Sequence, residues 1–150
     1  MTLPKTVTAD AIEDQMDLDE YVYGPISREE IRRYALASGD DNPIHQDEAY
    51  AKASGAPTVF AMGMLPAGYL AHAVSDWFGG PQHLRRFKVR FTTRVWPGDE
   101  IVCRGKVTNV DGRNVTVTAQ AFRRGAGPEE LDLEKEQVAI TAEADIELPE

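Results

Sequence analysis

Met64-Leu65-Pro66-Ala67-Gly68-Tyr69-Leu70-Ala71-His72-Ala73-Val74-Ser75-Asp76-Trp77-Phe78 runs directly into Gly79-Gly80-Pro81. Pro66 falls in a first helical turn, where a missing N–H does no harm, and the Gly-Gly-Pro run is a firm stop. Between them the chain is nearly uncharged, with Ala67, Gly68, Ala71 and Ala73 set among larger side chains. A helix apolar nearly all round is buried rather than laid on a surface. The spacing predicts one long central helix over residues 64–78, which other elements must cover.

The covering elements follow. Phe87, Val89, Phe91, Thr93 and Val95 alternate with Arg86, Lys88, Arg90, Thr92 and Arg94, the period of a half-buried strand. Pro97-Gly98-Asp99 makes a turn, residues 101–110 form the next strand, and Asp111-Gly112 is a hairpin signal before residues 114–122. A charged loop over 125–136 precedes a last strand in which Val138, Ile140, Ala142, Ala144 and Ile146 alternate. Four antiparallel strands in succession, a meander wrapped around one helix, describe an α+β fold. Upstream, Tyr21-Val22-Tyr23 has strand character and ends at Gly24-Pro25. Ser27 and Glu30 form a capping box, opening a helix whose apolar stripe is Ile31, Tyr34, Ala35 and Leu36 and whose left-handed end is Gly39. A short helix is expected over 47–53. Residues 1–18 read as an acidic, loosely held lead-in, and residues 1–150 as one domain without repeats.

Composition narrows the partners. The chain of 150 residues is 42% hydrophobic and 27% charged, ordinary for a globular domain. A net charge of −9 argues against nucleic acid, which needs a basic surface, and against an anionic membrane face. No apolar run approaches the ~18 residues of a membrane span, and the N-terminus lacks a secretory pattern. The lone Cys103 excludes an internal disulfide and fits a cytoplasmic location. It reads as a small core residue. Against the acidic background, Arg85, Arg86, Lys88, Arg90 and Arg94 crowd one segment. They are either a solvated strand face or a landing site for a phosphorylated carrier.

The chemistry concentrates in Ser38-Gly39-Asp40-Asp41-Asn42-Pro43-Ile44-His45. A carboxylate and an imidazole stand five residues apart on backbone stiffened by Gly39 and Pro43. Such a pair can hold one water and move its proton, as hydration or dehydration requires. Asn42 is placed to orient the loop or the imidazole through its side-chain amide and counts among the substrate-binding candidates. His72 and His83 have no companions at metal-ligand spacing, so no metal site and no cofactor is expected. Trp77 and Trp96 read as core or interface aromatics.

This stretch, together with Tyr34 and Ala51, resembles the signature of the MaoC-like, or (R)-specific enoyl-CoA hydratase, family of hot-dog proteins. Met62-Gly63-Met64-Leu65 resembles the family's entry to its central helix, and Phe91 through Pro97-Gly98-Asp99-Glu100 the strand and turn after it. Asp76-Trp77-Phe78-Gly79 and Val89-Arg90-Phe91-Thr92 are similar to small mycobacterial dehydratase subunits. The likeness covers residues 18–149. It implies a hot-dog domain in which Asp40 and His45 activate the water that adds to a trans-2-enoyl thioester, giving the (R)-3-hydroxyacyl product. It also implies that backbone N–H groups at Gly63, flanked by Met62 and Met64, polarise the thioester carbonyl. The substrate would be an acyl-CoA or an acyl carrier protein-bound thioester, and the assembly a homodimer or higher even oligomer.

The chain departs from the family pattern at three places. Met62 stands where the family usually has histidine, Ala71 where it has a serine, and Ala37 where it has a large apolar residue. Two rival functions share the fold. A thioesterase would use an acidic residue on the central helix, where only Asp76 qualifies, near the far end. A catalytically silent partner subunit would lack the acid/base pair, which this chain has.

Overall fold

A computed structural model describes residues 12–149. Strand β1 (Tyr21–Tyr23) is followed by helices α1 (Arg28–Ser38) and α2 (Glu48–Ala53), and then by the long helix α3 (Met64–Trp77). Strands β2 (Leu84–Phe91), β3 (Glu100–Asp111), β4 (Asn114–Arg124) and β5 (Glu136–Glu147) complete the chain. All five strands form one antiparallel sheet in the order β1-β3-β4-β5-β2. This is the α+β hot-dog arrangement, with the sheet curved around α3.

The sheet is not a meander. Asp111-Gly112 does join paired neighbours, since β3 and β4 align Asp111 with Asn114 and Val107 with Val117. Pro97-Gly98-Asp99 does not, because β2 pairs with β5, Phe87 facing Ala144 and Phe91 facing Ile140. The alternation that suggested a strand through Val95 stops at Phe91. Beyond it the chain crosses the end of the sheet, with the Thr92 hydroxyl donating to the Val138 carbonyl (2.9 Å) and the Ala61 N–H to that of Val95 (2.9 Å).

Small side chains make room for the helix. The inward residues of β4 and β5 include Ala119, Ala121, Ala142 and Ala144, all buried. On β3, Gly105 leaves space for the Trp77 ring, whose Cζ3 would lie 2.7 Å from any Cβ placed there. Trp77 is fully buried, and its indole N–H donates to the Asp19 carbonyl at 2.7 Å. The helix is nonetheless not covered on every side. Met64, Gly68, His72 and Asp76, spaced by one turn, form an exposed stripe. His72 is exposed on this stripe, its Nδ1 2.7 Å from the Tyr23 hydroxyl.

Half of the capping box at α1 forms: Ser27 Oγ accepts from the Glu30 N–H at 3.0 Å, whereas the Glu30 carboxylate accepts from the Tyr69 hydroxyl; Gly39 closes the helix at φ 78°. Ile31 and Ala35 are buried, whereas Leu36, one residue round the helix, is 72% exposed. Residues 12–18 are not a loose lead-in. Leu18 is buried, its N–H donates to the Gly105 carbonyl, and Met16 accepts from Val107. The rest of that lead-in, residues 1–11, lies outside the described residues.

The inward alternation of β4 carries an arginine into the core. Arg123 is 0% and Asp99 1% exposed. The guanidinium donates to both carboxylate oxygens of Asp99 at 2.7 Å, and also to the Gly125 and Glu134 carbonyls and Gln137. Asp99 in turn accepts from the Trp96 N–H at 2.9 Å. Every polar atom of the pair is occupied, which is the condition under which a buried ion pair can be kept.

Candidate active site

The loop after α1 is held by its own side chains. The Asp40 N–H donates to Ser38 Oγ (3.2 Å), the Asn42 N–H to Asp40 Oδ1 (3.3 Å), and the Ile44 N–H to Asn42 Oδ1 (3.1 Å). These short-range bonds are what Asp, Asn and Ser offer in place of helix. Pro43 then opens a single 3-10 turn that ends at His45. One oxygen of Asp40 is thus tied to the loop backbone. Among the described residues no bond is recorded for the other.

His45 is anchored by backbone. Its Nδ1 lies 2.7 Å from the Phe60 carbonyl oxygen, and the Phe60 ring meets the imidazole edge-on at 5.1 Å between centroids. A carbonyl can only accept, so Nδ1 carries the proton. In the neutral ring this leaves the lone pair on Nε2.

Asp40 and His45 share the wall of a cavity of about 420 Å³. Met62, Gly63, Met64 and Pro66, at the start of α3, form a second wall. Phe91, Thr93, Arg94 and Val95 form a third, with Ile140 at the base. Asn42 is not among the lining residues; its side chain caps the 3-10 turn. Gly63 is the N-cap of α3, so the N–H groups beside it have no partner within the helix and the helix dipole favours negative charge there. The space where a Gly63 side chain would stand is filled by the Phe91 ring, 2.9 to 3.1 Å from an ideal Cβ. A carboxylate, an imidazole with a free nitrogen and a helix N-terminus around one apolar cavity can bind a water, take its proton and stabilise an oxyanion.

The basic segment divides. Arg86 pairs with Asp145 (2.6 Å) and Glu143, and Arg85 with Glu147 (3.6 Å), on the outer face of the sheet. Arg94 instead reaches the cavity, its guanidinium 4.3 Å from the Phe60 ring centroid. Phe60 and Phe91 were not legible as cavity residues, and Arg94 was read only as one member of the basic cluster. Phe60 acts through a backbone carbonyl, which no sequence pattern reveals, and the other two fit the alternation of a covering strand. Among the described residues no cluster of potential metal ligands is found.

Comparison with known proteins gives a consistent result. Residues 8–123 match the family model described as MaoC like domain. A probable enoyl-CoA hydratase 2 from Dictyostelium discoideum is 32% identical over 101 residues, covering 66% of this chain and 31% of that protein. The 3-hydroxyacyl-thioester dehydratase X of Mycobacterium tuberculosis is 41% identical over 70 residues, covering 47% of this chain and 24% of that protein. The chain therefore spans under a third of the length of these relatives. Among solved structures, the unliganded R-hydratase PhaJ1 from Pseudomonas aeruginosa superposes with a TM-score of 0.79 at 26% identity, covering 97% of this chain and 87% of that one.

Proposed function

The chain belongs to the MaoC-like domain family, and from that membership we propose that it catalyses the reversible hydration of trans-2-enoyl thioesters to (R)-3-hydroxyacyl thioesters. The observation that carries this reading is the shared cavity: Asp40 and His45 line it, and the start of α3 forms its facing wall. In the hydration direction Asp40 is the principal base for the water, whose oxygen bonds to C3 of the enoyl chain. His45, fixed by the Phe60 carbonyl, orients the water and relays the proton that ends on C2. The negative charge that develops on the thioester oxygen falls against the N–H groups at Gly63 and Met64. Met62 and Met64 supply polarisable apolar surface for the acyl chain. Asn42 keeps the loop in register.

Loss of the conjugated enoyl-thioester absorbance tests this directly, with crotonyl-CoA and longer trans-2-enoyl-CoA esters as substrates. Asp40→Asn and His45→Ala should each remove turnover while leaving the far-ultraviolet circular dichroism unchanged. Near-normal rates in Asp40→Asn would sink the mechanism.

The substrate is proposed to be an acyl-CoA or an acyl carrier protein thioester, and the assembly a homodimer. Strand β2 ends the sheet with one edge unpaired among the described residues, and the exposed Phe91 and Met64 lie at the nearby cavity mouth. An open edge of this kind is a place where a second sheet can add. A monomer by light scattering would remove that part of the proposal. The thioesterase alternative would need a helix carboxylate in the cavity, but Asp76 is bonded to the Tyr21 hydroxyl and is not among the lining residues.

A further inference from the structure

Arg94 stands out among the arginines of this acidic chain. Arg28, Arg32, Arg85, Arg86, Arg104, Arg113, Arg123 and Arg124 each pair with a carboxylate. Arg33, Arg90 and Arg94 have no such pair among the described residues, and of these three only Arg94 lines the cavity. It is exposed and lies on the rim of the cavity that holds Asp40 and His45.

Its one recorded contact is the face of Phe60, 4.3 Å from guanidinium carbon to ring centroid. Stacking of this kind orients the planar fork and leaves its N–H donors free at the edge. The same Phe60 touches His45 edge-on. Arg94 is therefore one ring removed from the imidazole, with its donors pre-set and unspent.

We infer that Arg94 is a specificity-determining residue that recognises an anionic group carried by the substrate. This inference rests on the hydratase reading and sharpens it. Two parts of an acyl thioester can supply the anion: a carboxylate on the acyl chain, or the phosphates of the carrier. The acyl carboxylate is favoured by position, because the long pantetheine arm holds the phosphates well away from the thioester, whereas Arg94 lines the same cavity as Asp40 and His45. The cavity also carries the negative charge of Asp40, which repels a second anion, and a fixed guanidinium offsets that repulsion. The neighbouring Thr93 adds a hydroxyl to the same wall. Much of the remaining lining, Met62, Pro66, Val95 and Ile140 among it, is apolar and suits the short carbon chain between thioester and carboxylate.

The test uses four thioesters and two variants of the full chain. Glutaconyl and trans-2-hexenoyl groups, similar in size but differing in charge, are each presented on coenzyme A and on phosphate-free N-acetylcysteamine. The quantity read is the ratio of kcat/KM for the charged ester to that for the uncharged one. Arg94→Met should lower this ratio about tenfold or more on both carriers, the loss expected when a charge-assisted hydrogen bond disappears. Arg94→Lys should fall between, since it keeps the charge without the planar fork. If the loss instead follows coenzyme A whatever the acyl group, the anion is the carrier's phosphate. Equal loss with all four esters, or none, overturns the inference. Calorimetric binding of glutaryl and hexanoyl thioesters reads the same preference without turnover. A wild-type chain that binds the glutaryl ester in an Arg94-dependent way but hydrates nothing would refute the hydratase reading and not this one.

Discussion

Replacing Gly63 by alanine puts a Cβ 2.9 Å from Cε1 of Phe91. The ring sits at the solvent edge and can yield, so the stability cost should fall near the lower end of the ~1–3 kcal/mol typical of overpacking. The larger effect should be on kcat/KM, because the displaced ring and the new methyl group both enter the cavity wall. Gly63→Ala combined with Phe91→Leu should recover part of that activity, which steady-state kinetics on the single and double variants will show. At Asp99 the balance is reversed. Asp99→Ala strands a fully buried guanidinium and should cost about 3–5 kcal/mol in urea unfolding. Asp40 and His45 could be singled out at this scale because loop-stiffening residues surround them in a long motif, and both line one cavity. The Arg123–Asp99 pair was not, because an arginine at an inward strand position contradicts the hydrophobic pattern until its partner is known.

At the scale of elements, the packing of α3 on β3 rests on Gly105. A Cβ there would meet Trp77 at 2.7 and 2.8 Å and Leu18 at 3.3 Å, with no exposed side chain to give way. Gly105→Ala should destabilise the fold by about 1–3 kcal/mol and shift the Trp77 fluorescence, seen in parallel melts by fluorescence and circular dichroism. Two residues earlier, Cys103 is fully buried and burial pushes its thiol up to about 12. It should resist alkylation at pH 8 in the native protein and react on unfolding, since the thiolate is the nucleophile. Helices and turns were legible here from caps, glycines and prolines, and strands from their alternation. Pairing was not. Nothing in the alternation of residues 86–95 tells whether β2 adds to the strand after it or to the last one. That choice depends on the crossing at residues 92–99, fixed by the buried Asp99. The exposed stripe on α3 was missed for a related reason: a nearly all-apolar helix does not say how many of its sides the sheet will cover.

For the whole molecule, the outer sheet face carries ion pairs between strands, some between neighbours, as Arg86–Asp145 across β2 and β5, and one reaching over β4, Arg104–Glu136. Asp145 is held below its ordinary value of 3.8 first by its hydrogen bond to Arg86, and Glu136 below 4.5 by its hydrogen bond to Arg104. Carboxyls depressed in the folded state stabilise it above their unfolded values, and that stability is lost as pH falls through the folded ones. Thermal melts should therefore weaken progressively once pH drops below about 4.5, with little change between pH 6 and 8. Both carboxylates are partly open to solvent, so added salt should reduce the effect. The net charge of −9 was legible at once, but the sorting of the basic residues into the ion pairs of Arg85 and Arg86 on the sheet and an arginine at the cavity was not.

The strand order also has a consequence for synthesis. β5 is the last element of the chain, yet it lies between β4 and β2 and joins them. As the polypeptide leaves the ribosome, β2 has no neighbour to bond until residues 136–147 have emerged. Until then its inward side chains and the unfinished cavity are open to solvent. During that interval the nascent chain is a natural client for a holdase chaperone. A chain released before residue 136 should accumulate as aggregate, never as a smaller working enzyme.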